Sequence, residues 1–228
     1  MKRSISLFAL IIICTSGAIA QTDSLPDPDP HRFDAEIENF IQWDRKNSYP
    51  DDALLFVGSS SIRLWLTSDY FPGYQIINRG FGGAHISDVI YFLKETVLKY
   101  QPKIIVFYAG DNDIAAGKAP ERVAGDFAEF LTRVVSENEH TKVIFLAIKP
   151  SLLRWKYWPA MQKTNQLIED YANSMANFYY VDTAAPMLGD EQKPMEKLFM
   201  SDSLHLSDEG YTIWHSLLNP VLFNLTSE

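Results

Sequence analysis

Four short runs that are almost wholly apolar constrain this chain most: residues 53–57, 104–108, 143–148 and 178–181. A strand without polar alternation has to be buried on both faces. Residues 74–78 make a fifth strand candidate, also short, closed by a glycine-rich turn. The intervening stretches place apolar residues at helical spacing. Val89, Leu93 and Val97 fall on one face of a segment over 86–100, and Val123, Phe127, Phe130 and Val134 on one face of 119–139. Further helices are predicted over 31–46, 62–66, 158–176 and from Ser207 onward, where Ser207 can cap and Asp208 and Glu209 suit the dipole. Strand and helix in alternation imply an α/β fold, a parallel sheet covered on both faces by right-handed crossovers. Catalytic loops then belong at the carboxyl ends of the strands.

At 228 residues the chain suits one domain, and it shows no internal repeat. Its first twenty residues stand apart. Lys2 and Arg3 precede an apolar run over 5–14, and Ala18 and Ala20 supply small residues at the positions a signal peptidase reads. This is the pattern of a secretory signal peptide over 1–20, cleaved after Ala20 to leave Gln21 first. The alternative is an N-terminal membrane anchor. Residues 21–30, with three prolines and three aspartates, read as a disordered leader, and 31–228 as the folded domain. Cleavage would remove Cys14, the only cysteine. The mature chain would then have no thiol nucleophile, disulfide or cysteine-ligated metal. The formal charge of −9 becomes still more negative when Lys2 and Arg3 leave. An acidic protein is a poor partner for nucleic acid or anionic membrane surfaces. The expected location is therefore a bacterial periplasm or the medium, without stable membrane insertion.

Four loops hold residues suited to acyl-transfer chemistry. Gly58-Ser59-Ser60-Ser61 follows the first strand, where a serine is either a helix cap or an exposed hydroxyl at a helix N-terminus. Asn78-Arg79-Gly80-Phe81-Gly82-Gly83 is either a plain tight turn or a backbone that offers N–H groups to an anion. Gly110-Asp111-Asn112-Asp113 follows the third strand. The Asn112 amide can donate to a developing oxyanion, while the acidic neighbours alone would suit a metal. Asp202-Ser203-Leu204-His205 lies just ahead of the last helix, and an aspartate three residues before a histidine suits a carboxylate-supported general base. Trp155 and Trp158, in the loop after the fourth strand, are either a substrate platform or a cover over the core. His85 lies beside the glycine turn, either against substrate or at a helix start.

In this order the loops resemble those of the SGNH hydrolases, the GDSL-like esterases and lipases. That family includes enzymes similar to platelet-activating-factor acetylhydrolase and to lysophospholipases. The resemblance spans residues 53–222. It implies a three-layer α/β/α domain whose five-stranded parallel sheet has the flavodoxin-like strand order 2-1-3-4-5. Matching the motifs residue by residue makes Ser60 the nucleophile, with Asp202 and His205 completing the catalytic set. Ser60, Gly83 and Asn112 would form the oxyanion hole, and His85, Trp155 and Trp158 would be candidate substrate contacts. Ser59 stands where the family carries an aspartate, which leaves a serine triplet. No metal or organic cofactor is implied. The implied activity is hydrolysis of small acyl esters, acetyl above all, on O-acetylated carbohydrate or a short-chain ester. Alternatives are a lysophospholipase-like lipid esterase, or a carbohydrate-binding module on the same scaffold without catalysis.

Overall fold

The structure is a computed structural model that describes residues 25–51 and 53–227. The signal-peptide reading over 1–20 lies outside the described residues. The described part of the leader differs from the expectation of disorder. Residues 25–30 lie against the domain, where Asp27 reaches Lys118 at 2.7 Å and Arg122 at 2.8 Å. Asp29 then caps a 3₁₀ turn, Pro30–Phe33, by accepting from the His31 N–H at 3.0 Å.

The chain alternates as its apolar pattern requires. Helix α1 is Asp34–Lys46, followed by β1, Leu54–Gly58, and two single-turn helices, α2 (Ser60–Arg63) and α3 (Thr67–Tyr70). Strand β2 is Ile76–Gly80, followed by α4 (Ile86–Tyr91) and α5 (Leu93–Thr96). Strand β3, Ile104–Tyr108, leads into α6 (Asp111–Ala115) and α7 (Pro120–Glu137). Strand β4 is Lys142–Leu146, α8 is Trp158–Ala172, β5 is Phe178–Val181 and α9 is Asp208–Thr226. All strand pairs are parallel, in the order β2-β1-β3-β4-β5.

The two faces of the sheet sort by residue parity, as a pleated strand dictates. Leu55, Val57, Ile105, Phe107, Val143 and Phe145 point to one side, under α1, α4, α5, α7 and α8. Leu54, Phe56, Val106, Tyr108, Ile144 and Leu146 point to the other, under α9 and the α2–α3 segment. Both layers are apolar and rich in aromatic rings. Phe107 meets Phe127, Phe130 and Phe145 on the first face, and Trp65, Tyr211, Trp214 and Tyr108 interlock on the second. Each buried large side chain of this kind contributes about 1.5–3 kcal/mol.

The single helix expected over 86–100 is broken. Phe92 leaves helical geometry at ψ 21° and Val97 at φ −131°, and Gln101 ends the segment with φ +47°. The Thr96 hydroxyl donates to the Phe92 carbonyl at 2.8 Å, a local bond that helps bend a helix. Helix α9 runs through Pro220 without a break in its range and starts as expected, with Ser207 Oγ accepting from the Gly210 N–H at 3.3 Å. Among the described residues no helix is long and apolar enough to cross a membrane.

Candidate active site

The turn after β1 sets the position of the serines. Gly58 has φ +137°, and a Cβ there would lie 1.9 Å from the Tyr108 carbonyl oxygen, so only glycine lets β1 and β3 stay this close. The Ser59 N–H donates to that same carbonyl at 2.9 Å, and Ser60 becomes the first residue of α2. Its hydroxyl lies 3.0 Å from His205 Nε2. Ser59 and Ser61 are 1 % exposed, buried to either side. Of the triplet it is therefore Ser60 that meets the histidine, 145 positions along the chain.

The histidine is held from behind. His205 Nδ1 lies 2.5 Å from Asp202 Oδ2, while Asp202 Oδ1 accepts from the N–H groups of Leu204 and His205, each at 2.9 Å. The turn carries Ser203 at φ +59° and is pinned by the Met200 N–H donating to the His205 carbonyl at 2.8 Å. Desolvation opposes ionisation of Asp202, but the bonds from the His205 ring and the two backbone N–H groups outweigh it, and its pKa is lowered to about 2. The carboxylate therefore stays charged and favours the proton on Nδ1, which leaves Nε2 free to accept from Ser60.

The glycine turn and the Asn112 loop come together at the same end of the sheet as the Ser60 turn. Gly83 has φ +80° with open space where a Cβ would sit, so this turn can offer its backbone to a ligand. Asn78 secures the turn: its Nδ2 donates to the Ile62 carbonyl at 2.7 Å, and its Oδ1 accepts from the Gly80 N–H at 2.9 Å. Asn112, in the first turn of α6, donates from Nδ2 to the Ala84 carbonyl at 3.0 Å. A second hydrogen on Nδ2 remains for another acceptor.

Two residues absent from the sequence expectations, Arg154 and Lys149, support Asn112 together with Asp111. Arg154 Nη2 donates to Asn112 Oδ1 at 2.8 Å, and Arg154 Nη1 lies 3.0 Å from Asp111 Oδ2. Lys149, 1 % exposed, reaches Asp111 at 3.2 Å and the Tyr108 hydroxyl at 3.1 Å. Burial alone would raise the Asp111 carboxyl, but Lys149 and Arg154 outweigh it and hold it below the usual carboxylate range. Asp113 is likewise engaged by a lysine, Lys118, at 2.9 Å. The one clue in the sequence was Lys149 directly after an apolar strand, where a charge at the carboxyl end of a buried strand needs a partner.

The candidate substrate contacts fall differently. Trp158 is buried in the core, and Trp155 stacks on it at 6.2 Å, half-buried against the same layer. The pair is a cover over the core, so the platform reading is corrected for Trp158. His85 is buried to 9 % exposure at the start of α4, with Nδ1 3.5 Å from Asp113 Oδ1. It lines a cavity of about 220 Å³ with Leu25, Pro26, Pro28, Ala116 and Lys118. Burial, and then the Lys118 charge, lower its pKa to about 4, so the ring is neutral at physiological pH.

Comparison with known proteins bears on the family and the fold. A family model described as GDSL-like lipase/acylhydrolase matches residues 61–213. The platelet-activating factor acetylhydrolase IB subunit alpha2 of Gallus gallus is 27 % identical over 225 residues, covering 90 % of this chain and 94 % of its own. A GDSL-like lipase from Bacteroides thetaiotaomicron superposes with a TM-score of 0.71 at 23 % identity, covering 83 % of this chain and 98 % of the other. An acetylxylan esterase from Geobacillus stearothermophilus superposes at 0.58 and 16 % identity, covering 75 % and 93 %.

Proposed function

The chain belongs to the GDSL-like lipase/acylhydrolase family of ester hydrolases, and on that premise we propose that it is an exported serine esterase that removes small acyl groups, acetyl above all. The observation that carries the reading is the contact of Ser60 Oγ with His205 Nε2 at 3.0 Å, backed by Asp202. Ser60 Oγ attacks the ester carbonyl while His205 takes its proton and passes it to the departing alcohol. Asp202 keeps the imidazole in the accepting tautomer and steadies the imidazolium. The N–H groups of Ser60 and Gly83 and the free hydrogen of the Asn112 amide face the oxyanion. Water then enters by the same base and releases the acid.

The acetyl reading draws on the names of an acetylhydrolase and an acetylxylan esterase among the similar proteins. The substrate proposed is an O-acetylated carbohydrate or another short-chain ester. One observation favours a second reading, a lysophospholipid-like substrate. Leu153 and Met200 are 60 % and 51 % exposed, and both are hydrogen-bonded through their backbones to Ser203 in the histidine turn. Apolar side chains beside the base would suit a longer acyl chain.

The test is turnover of p-nitrophenyl esters from acetate to octanoate, alongside acetylated xylo-oligosaccharide and lysophosphatidylcholine. The expected result is a preference for acetate and a kcat lower by about 10⁴-fold or more in Ser60→Ala. Full activity in Ser60→Ala with loss in Ser59→Ala or Ser61→Ala would sink the nucleophile assignment, and a preference for octanoate would favour the lipid substrate. Export rests on the signal-like pattern over 1–20, and the intact mass of the secreted protein should begin at Gln21. A mass that includes Met1 would count against it.

A further inference from the structure

We propose that Arg154 is a positioning residue for ester hydrolysis: by donating to Asn112 Oδ1 it fixes which end of the Asn112 amide faces the reacting carbonyl. The inference rests on the reading of Asn112 as an oxyanion donor. A carboxamide is nearly symmetric in shape but opposite in polarity at its two ends, and an unconstrained asparagine could turn its oxygen toward the substrate. An oxygen there would repel the developing oxyanion. Two neighbours of opposite character prevent this. The Ala84 carbonyl, 3.0 Å from Nδ2, accepts only a donor, and the Arg154 guanidinium, 2.8 Å from Oδ1, satisfies only an acceptor. Flipping the amide would set oxygen against oxygen on one side and N–H against N–H on the other.

The guanidinium also polarises the amide. A cationic donor on Oδ1 draws electron density from Nδ2 and makes its remaining N–H a stronger donor. Arg154 can do this only if it is itself held, and its other branch lies 3.0 Å from Asp111, which Lys149 holds in turn at 3.2 Å. A lysine at position 154 would keep the charge but lack the planar fork that reaches Asp111 and Asn112 together. The main chain here ties the two halves of the site to each other. The Leu153 N–H donates to the Ser203 carbonyl at 3.0 Å, inside the turn that carries His205, and the Arg154 N–H donates to Ser151 Oγ at 3.3 Å. One loop thus touches the base turn through its backbone and the oxyanion amide through its side chain.

A double-mutant cycle with p-nitrophenyl acetate separates this role from a general structural one. Asn112→Ala should lower kcat by about 10²–10³-fold. Arg154→Met should lower kcat by about 10–100-fold with KM changed far less, because the amide acts on the transition state. The double variant should be no slower than Asn112→Ala, since Arg154 acts through an amide already removed. Arg154→Lys should fall between wild type and Arg154→Met, and if Arg154→Met does not fold, the cycle is run with Arg154→Lys and the same non-additivity is expected. Losses that multiply in the double variant, a loss confined to KM, or full activity in Arg154→Met beside an impaired Asn112→Ala would overturn the proposal while leaving the oxyanion reading in place. Full activity in Asn112→Ala would remove that reading and the proposal with it.

Discussion

Asp202 shows how a mostly exposed side chain can matter. Its side chain is 45 % exposed, so its bond to His205 adds little to stability through simple charge attraction. Its worth lies in direction, because three donors converge on one carboxylate and the ring cannot turn away from Ser60. Loss of the carboxylate in Asp202→Asn should therefore reduce kcat by about 10²–10⁴-fold with the fold intact. The accompanying stability effect has a definite pH window. The folded pKa of about 2 lies below the ordinary 3.8, so the contribution is fully present above pH 4 and disappears as pH falls through 2. Thermal melts of wild type and Asp202→Asn should differ by a constant gap above pH 4, and that gap should close toward pH 2. A gap that instead closes between pH 7 and 5 would place the relevant titration elsewhere.

At the scale of elements, β1, β3 and β5 were legible because their residues are apolar or aromatic without polar alternation, and they lie where the apolar runs lie. The site was legible for a related reason. Gly58, the Asn78–Gly83 turn, Asn112 and the Asp202–His205 turn are each short segments whose chemistry is local, so order along the chain carries the information. What failed was anything decided by packing between elements. The helix over 86–100 keeps its apolar spacing but breaks at Phe92 and Val97, since spacing reports which residues turn inward and not whether the backbone stays regular. The aromatics after β4 were ambiguous between platform and cover because ring exposure depends on the helix below, and α8 takes Trp158 as its first residue and buries it. Arg154 and Asp111 are 43 positions apart, and no local pattern links them.

Across the whole molecule, a second ion network joins segments that no motif connects. Lys118 is 4 % exposed and reaches Asp27 in the N-terminal segment, Asp113 on α6 and Asp126 on α7, at 2.7, 2.9 and 2.9 Å. Asp113 also accepts from the Ile86 N–H at 3.3 Å, at the start of the helix that follows the glycine turn. The N-terminal segment, the start of the helix after the glycine turn, and α6 and α7 are thus coupled through one ammonium. The partners are unequal. Asp27 sits at the rim with 39 % exposure, so removing it in Asp27→Ala should cost about 0–1 kcal/mol. Its main effect should be to release residues 25–30 to proteolysis. Lys118→Met is different, because it strands Asp113, whose side chain is 0 % exposed, and breaking a buried pair from one side costs about 3–5 kcal/mol. That cost depends on pH in a calculable direction. Desolvation already raises the Asp113 pKa to about 6 against the pull of Lys118, and removing the lysine can only raise it further. Below that pKa the variant carries a neutral carboxyl and loses little, and above it a buried charge stands alone. Urea unfolding of Lys118→Met relative to wild type should therefore show a deficit that grows as pH rises from 5 to 8. A deficit of equal size at both ends would mean that Asp113 finds another partner.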